Sequence, residues 1–357
     1  PADAAAWQVH PFSGEIKDGC IWGRGAVDMK DMDAMILAVL RDWARTGTRP
    51  QRDIVVALLA DEEAGGSYGA RWLVTQRPDL FDGCTEAIGE VGGFSYTVSD
   101  DLRLYLIETA EKGMAWLRLT ASGTAGHGSM LNDDNAVAEL CAAVARLGRH
   151  RFAVQVTAAV RQFLEELSAA LNIELDPDDV ETTIAKLGPI ARLIGATIRN
   201  TAHPTMLSAG YKVNVIPSEA HANVDGRFLP GLEDEFLAEL DDVLGPRIRR
   251  EFIHHDIALE TDFSGALVEA MAASLSAEDP GARAVPYCLS GGTDAKSFSR
   301  LGIRCFGFSP LRLPADLDFG TIPIGHFPGI ILSRFGIREP ARARMTAEEQ
   351  ALFFRNQ

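Results

Sequence analysis

Apolar positions in the first hundred residues change their spacing several times, and each change marks an element boundary. Met32, Met35, Ile36, Val39, Leu40 and Trp43 recur three and four residues apart, the spacing that places side chains on one face of an α-helix. Asp31 offers a cap before this run and Gly47 a stop after it, because a short acceptor side chain bonds the first free N–H groups and glycine takes the left-handed conformation that ends a helix. The run from Asp53 to Ala60, DIVVALLA, is continuous, β-branched and of strand length, which predicts a buried strand of a parallel sheet. Ile21 to Val27 and Glu86 to Gly89 read as further strands, and Tyr68 to Gln76 as a second helix. This alternation predicts parallel βαβ units covered by helices.

The pattern changes after residue 111. Met114, Trp116 and Arg118 alternate with Ala115, Leu117 and Leu119, the period of two expected of a strand with one face in water. Helical stretches follow to about Arg199, after which Tyr211 to Ile216 and Ala220 to Arg227 read as a strand pair joined at Pro217-Ser218. Pro230-Gly231 then punctuates the chain. The predicted class is α/β: a mixed, mainly parallel sheet covered by helices, built from residues 1–110 and 231–357, with an α+β domain inserted at 111–230.

Composition narrows the partners. The 357 residues suffice for two domains, and 46% hydrophobic content supports a sizeable core. With 34 basic against 50 acidic residues the net charge is -16, which disfavours nucleic acid and anionic membranes. Cys20, Cys84, Cys141, Cys288 and Cys305 form no CxxC pair, so neither a disulfide framework nor a cysteine zinc site is suggested, and a reducing, cytoplasmic setting is expected. No apolar run approaches the roughly 20 residues that span a bilayer, and the start has no signal-peptide pattern. The chain opens on Pro1, as expected of a fragment.

Four acids follow predicted strands: Asp28, the pair Glu62-Glu63, and Glu90. In open parallel sheets the carboxyl ends of the strands share one edge, where ligands bind. Carboxylates gathered in a partly buried cleft raise one another's pKa or demand a cation, and hard oxygen donors with imidazole suit zinc, manganese or cobalt, most economically as a pair bridged by a shared carboxylate. Any one acid alone reads as a solvated loop residue or, for Asp28, a helix cap. Their joint placement, with glycines at Gly23, Gly25, Gly65, Gly66, Gly92 and Gly93 permitting close backbone approach, points to a site.

Gly23-Arg24-Gly25-Ala26-Val27-Asp28-Met29-Lys30-Asp31, Asp61-Glu62-Glu63-Ala64-Gly65-Gly66 and Gly89-Glu90 resemble successive motifs of the co-catalytic metallopeptidase family of aminoacylases, succinyl-diaminopimelate desuccinylase and glutamate carboxypeptidases. Ala125-Gly126-His127-Gly128-Ser129, Lys212-Val213-Asn214-Val215-Ile216-Pro217, Asp225-Gly226-Arg227 and Ser290-Gly291-Gly292-Thr293-Asp294 follow in family order. The resemblance implies two Zn2+ ions per subunit, replaceable by Co2+ or Mn2+, in a catalytic domain whose inserted domain serves as lid and dimerisation surface. By resemblance, Asp28 bridges the metals, Glu90 is a terminal ligand of the first and Glu63 of the second, and Glu62 is the general base. His127 matches the histidine that reaches the neighbouring subunit's site and stabilises the oxyanion, which implies a homodimer.

Asn214 and Arg227 match substrate-holding positions, and Gly291, Gly292 and Thr293 would offer N–H groups and a hydroxyl to a substrate carboxylate. The plainer readings are a strand-end amide, a surface ion pair and a chain-reversing turn. Lys296 and the His254-His255 pair match no family role and read as solvated.

Two departures stand out. The family's His-x-Asp motif, which supplies one ligand to the first metal, falls before the position of Pro1, and the terminal histidine ligand is matched only by His326, which lacks the following acid. The expected function is metal-dependent hydrolysis of an N-acyl amino acid or a short peptide with a free carboxylate. A non-catalytic relative with an incomplete metal site is the alternative, and a two-metal phosphoesterase is disfavoured by Arg227 and the Gly291-Gly292 turn.

Overall fold

A computed structural model describes residues 7–17, 20–172, 179–185, 194–313, 315 and 330–331. Near the start, β1 (Glu15–Lys17) and β2 (Cys20–Trp22) pair antiparallel, and β15 (Ile330–Ile331) adds to β2. The predicted strand to Val27 thus ends early, in a series of turns that carries Asp28. The first helix, α1 (Lys30–Thr46), ends as expected at a left-handed Gly47 whose N–H bonds Trp43 O. Asp31 is not its cap: it lies buried inside the first turn, where its Oδ1 accepts from the Met32 N–H at 2.8 Å. The second helix, α2, spans Ala70–Gln76.

DIVVALLA departs from expectation. No strand is assigned over residues 53–60, and Ile54, Val55, Val56 and Leu58 are exposed. An extended apolar run becomes a strand only where a neighbour offers a ladder of N–H and C=O groups, and among the described residues none is paired along it.

The larger sheet is centred on β5 (Leu102–Glu111). It joins β3 (Glu86–Gly89), β4 (Phe94–Ser99), β12 (Leu259–Glu260), β13 (Ala282–Leu289) and β14 (Arg304–Gly307). Parallel pairings link β13 to β5 and β14 to β3, while β4 and β12 run antiparallel to β5, so the sheet is mixed. Both faces of β5 are covered. Leu104, Leu106 and Ala110 pack on α4 (Ala158–Leu171) through Phe163, Leu164 and Leu167, whereas Tyr105 and Ile107 face Val268, Met271 and Leu275 of the helix Ala266–Glu278. Hence its centre, Leu104 to Ile107, is an unbroken apolar run.

The second sheet has four antiparallel strands in the order β11–β6–β10–β8, where β6 is Gly113–Ser122, β8 Thr201–Ala209, β10 Glu219–Phe228 and β11 Ile248–Asp256. The alternation read from β6 is realised: Ala115, Leu117 and Leu119 are buried against α3 (Ala136–Arg149) and the helix Glu233–Leu244, while Trp116 and Arg118 are exposed. Asn135 caps α3, its side chain accepting from the N–H groups of Val137 and Ala138, a contribution of about 1 kcal/mol.

The strand pair was misplaced. The partner of β10 is β8, and residues 211–214 lie outside any strand while β9 (Val215–Ile216) pairs with β7 (Gly126–His127). Pro204 disguised β8, since proline is tolerated in a strand at a sheet edge, which β8 forms. Nor does the layer close at Pro230-Gly231, because the helix Glu233–Leu244 and β11 complete it.

At the end of β11, Asp256 accepts from Arg71 of α2 at 2.5 Å and from Arg300 at 2.9 Å, tying the four-stranded layer to the segments around the larger sheet. No helix among the described residues is long and apolar enough to cross a membrane.

Candidate active site

Local backbone chemistry builds the acid loop. Asp61 takes a positive φ, accepts the Tyr68 N–H on Oδ2 at 2.8 Å and the Gly66 N–H on its carbonyl at 2.7 Å, and so folds Glu62–Ala64 into a single tight helical turn. This half-buries Glu62 and leaves Glu63 exposed. Gly66, at φ +65°, faces Asp294 so closely that a β-carbon would lie 2.9 Å from its Oδ1. Only glycine serves both demands.

All four expected acids are linked electrostatically through Glu62. Glu90, buried at the end of β3, is pushed up to about 9 by burial, then by the charges of Glu62 and Asp28 and by a hydrogen bond with Asp28. Glu62 is raised to about 7 by burial, with Asp294, Glu63, Asp28 and Glu111 adding repulsion. Asp294, which sequence reasoning quoted only as the end of a motif, is raised to about 6 by burial and by the charges of Glu111 and Asp61. A donor set of mutually repelling hard oxygens fits a divalent cation. No three His, Cys, Asp or Glu side chains among the described residues converge as a metal cage, and His326 lies outside the described residues.

This cluster sets an expected pH dependence. Folded carboxyls raised above their unfolded values stabilise the fold fully below about pH 4, and that stability is lost as pH rises through 6 to 9, the window of Asp294, Glu62 and Glu90. The metal-stripped chain should therefore melt several degrees lower at about pH 9 than at about pH 5, and zinc should restore the loss at alkaline pH. Thermal melts with and without chelator measure this; a melting point unchanged by pH and by zinc would refute it.

The remaining candidates fall into separate groups. His127 on β7 and Asn214, which directly precedes β9, meet side by side: His127 Nε2 is 3.3 Å from Asn214 Nδ2, and Nδ1 is 2.8 Å from Ser129 Oγ. Both are exposed, and no hydrogen bond joins them to the acid loop among the described residues. Arg227 on β10 donates from Nε and Nη2 to Asp225 at 2.7 and 3.2 Å, so the plain ion pair is real and presets the plane of the guanidinium.

Thr293 does not present its donors to open space. Its N–H and hydroxyl both go to the carboxylate of Glu111, at 3.0 and 2.6 Å. Lys296 is not solvated but 3% exposed, its Nζ donating to Lys112 O at 2.5 Å. His254 is half-buried between Gly65 and the Trp116 ring, and burial lowers its pKa, whereas His255 is exposed and paired with Glu233. The signal for Glu111 and Lys112 was available: two adjacent charged residues at the close of a strand whose centre, Leu104 to Ile107, is apolar.

Comparison with known proteins agrees with this geometry. The model of peptidase family M20/M25/M40 matches residues 1–319. An N-fatty-acyl-amino acid synthase/hydrolase PM20D1 of Xenopus tropicalis is 29% identical over 88% of this chain and 64% of its own, and a probable carboxypeptidase S-like 2 of Dictyostelium discoideum 27% identical over 86% and 62%. The chain thus spans less than two thirds of the length of these relatives. The dipeptidase Dug1p of Saccharomyces cerevisiae shares the fold at a TM-score of 0.60 and 16% identity, over 94% of this chain and 74% of its own. A loop-borne set of acids, a histidine–asparagine pair and a glycine turn, in this order along a chain whose family model covers all three, leave one assignment: the chain belongs to peptidase family M20/M25/M40.

Proposed function

We propose that the protein hydrolyses the amide bond of an N-acyl amino acid or a short peptide with a free carboxylate. The observation that carries this reading is the half-buried Glu62 within electrostatic reach of the exposed Asp28 and the buried Glu90. The relatives, an N-fatty-acyl-amino acid synthase/hydrolase and a probable carboxypeptidase S-like 2, support the substrate class.

In this reading Asp28 would hold two zinc ions jointly, with Glu90 on the first and Glu63 on the second. When bound, the ions acidify a water molecule and polarise the scissile carbonyl. Glu62 takes the proton of the attacking water and passes it to the leaving amine, and a carboxyl raised to about 7 is matched to both duties near neutral pH. Arg227 and Asn214 orient the substrate, a forked guanidinium suiting its carboxylate. Turnover of an N-acetyl amino acid by the zinc-loaded chain tests the proposal; hydrolysis of a phosphodiester in preference to the amide would overturn it.

A second reading, a non-catalytic relative with an incomplete site, is favoured by the lack of a three-residue metal cage among the described residues. Metal analysis separates the two: two tightly held zinc ions with turnover select the hydrolase, fewer than two without turnover the relative.

We further propose a homodimer through the inserted domain, with His127 reaching the partner's site. Met130, Leu131, Tyr211 and Val213 are exposed apolar residues flanking His127 and Asn214 in sequence, as a dimer surface requires. Sedimentation should give a dimer at micromolar concentration, and a monomer would remove His127 from the mechanism. All five cysteines are free, which supports the proposal of a reducing, cytoplasmic setting.

A further inference from the structure

Glu111 is fully buried at the end of β5 and Lys296 is nearly so, on the helix Ala295–Ser299. Burying a carboxylate is costly unless it is paired and hydrogen-bonded, and here both conditions hold. Glu111 Oε1 accepts from the Thr293 hydroxyl, its Oε2 accepts from the Thr293 N–H, and Lys296 Nζ stands 3.8 Å from Oε2 while donating to Lys112 O. Glu108, buried alongside, is pushed well up by burial and by the Glu111 charge, whereas Glu111 is raised by burial and drawn down by Lys296 and by its hydrogen bonds with Glu108 and Thr293. The turn rests directly on this lysine: a β-carbon at Gly292 would lie 2.5 Å from Lys296 Cε and 3.5 Å from Glu111 Oε2.

We infer that Glu111, balanced by Lys296, is the positioning residue of the Gly291-Gly292-Thr293 turn and aims the Gly291 and Gly292 N–H groups at the substrate carboxylate. This rests on the substrate class proposed above. Both Thr293 donors are spent on Glu111, whereas the N–H groups of Gly291 and Gly292 donate no hydrogen bond among the described residues. Thr293 is therefore the tether of the turn, and the two glycines its ligand-facing donors.

Calorimetry on the full zinc-loaded chain tests this with N-acetyl-leucine and its carboxamide, N-acetyl-leucinamide. The native chain should bind the carboxylate more tightly by about tenfold or more, the worth of one charge-assisted hydrogen bond. Glu111→Gln and Thr293→Val should each lose most of that preference, and Thr293→Ser should retain it. A merely structural role would lower the melting point and weaken both ligands alike. Should Glu111→Gln fail to fold, the Thr293→Val and Thr293→Ser pair decides. A native chain without the preference, or a folded Thr293→Val that keeps it, overturns the inference. Failure of the hydrolase reading shows separately, as absent turnover with the binding preference intact.

Discussion

Glu62→Gln in the zinc-loaded chain is expected to keep its metal and fold while losing turnover of an N-acyl amino acid by about 100- to 10,000-fold, the contribution of a positioned general base. The amide is close in size and shape to the carboxylate but holds no proton-accepting oxygen of comparable basicity. Glu63→Gln should instead lose metal, because its assigned role is that of a ligand. The two neighbours are distinguished by the tight turn they share, which half-buries Glu62 and exposes Glu63. Zinc content by mass spectrometry and steady-state kinetics on both variants are the measurements. Equal metal content together with equal residual activity would refute the division of labour.

Asp279→Ala is expected to destabilise the fold by about 3–5 kcal/mol, the usual result of removing one partner from a buried ion pair. Arg103 of β5 donates from both Nε and Nη2 to Asp279, Tyr105 adds its hydroxyl at 3.0 Å, and both charged side chains are largely buried. The guanidinium holds the Asp279 carboxyl down to about 2. A depressed carboxyl stabilises the fold above its unfolded pKa near 4, and the contribution is lost as pH falls towards 2. The gap between native chain and variant in denaturant titrations should therefore be wide at neutral pH and shrink near pH 3. A variant as stable as the native chain at pH 7 would show that the pair contributes nothing net.

Much of this was legible in the chain because local rules and tertiary context agreed. The stripe from Met32 to Trp43 became α1, Glu86–Gly89 became β3 with no change of bounds, and the alternation after Met114 became β6. Expectation failed where a neighbour decides the outcome. DIVVALLA has the composition of a strand, but composition does not supply the adjacent ladder. The tract from Thr201 to Ala209 has a proline and few apolar residues, yet the edge position accepts it. The acids were found through their loop positions, but the inward turn of Glu62 and the outward turn of Glu63 depend on Asp61 bonding Tyr68, a contact across seven residues with no sequence period. Lys296 was misread for a related reason: a lysine is solvated by default, and only the folded chain brings the Lys112 carbonyl and Glu111 to it.

The pairing of the larger sheet also orders events at the ribosome. Gly89, next to Glu90, finds its ladder partner at Gly307, and Arg103 at the start of β5 finds its own at Ala282. Synthesis runs from the amino end, so the acid-bearing segment emerges long before the strands that will hold it, and the whole four-stranded layer is made in between. The nascent chain must carry β3 unpaired, and β5 with only its hairpin neighbour β4, until β12, β13 and β14 are made, and the carboxylates are gathered only when nearly all of the described chain has been released. Such late, non-local closure is slow to form and leaves sticky strands exposed meanwhile, so yield on expression should depend on chaperone supply more steeply than final stability does.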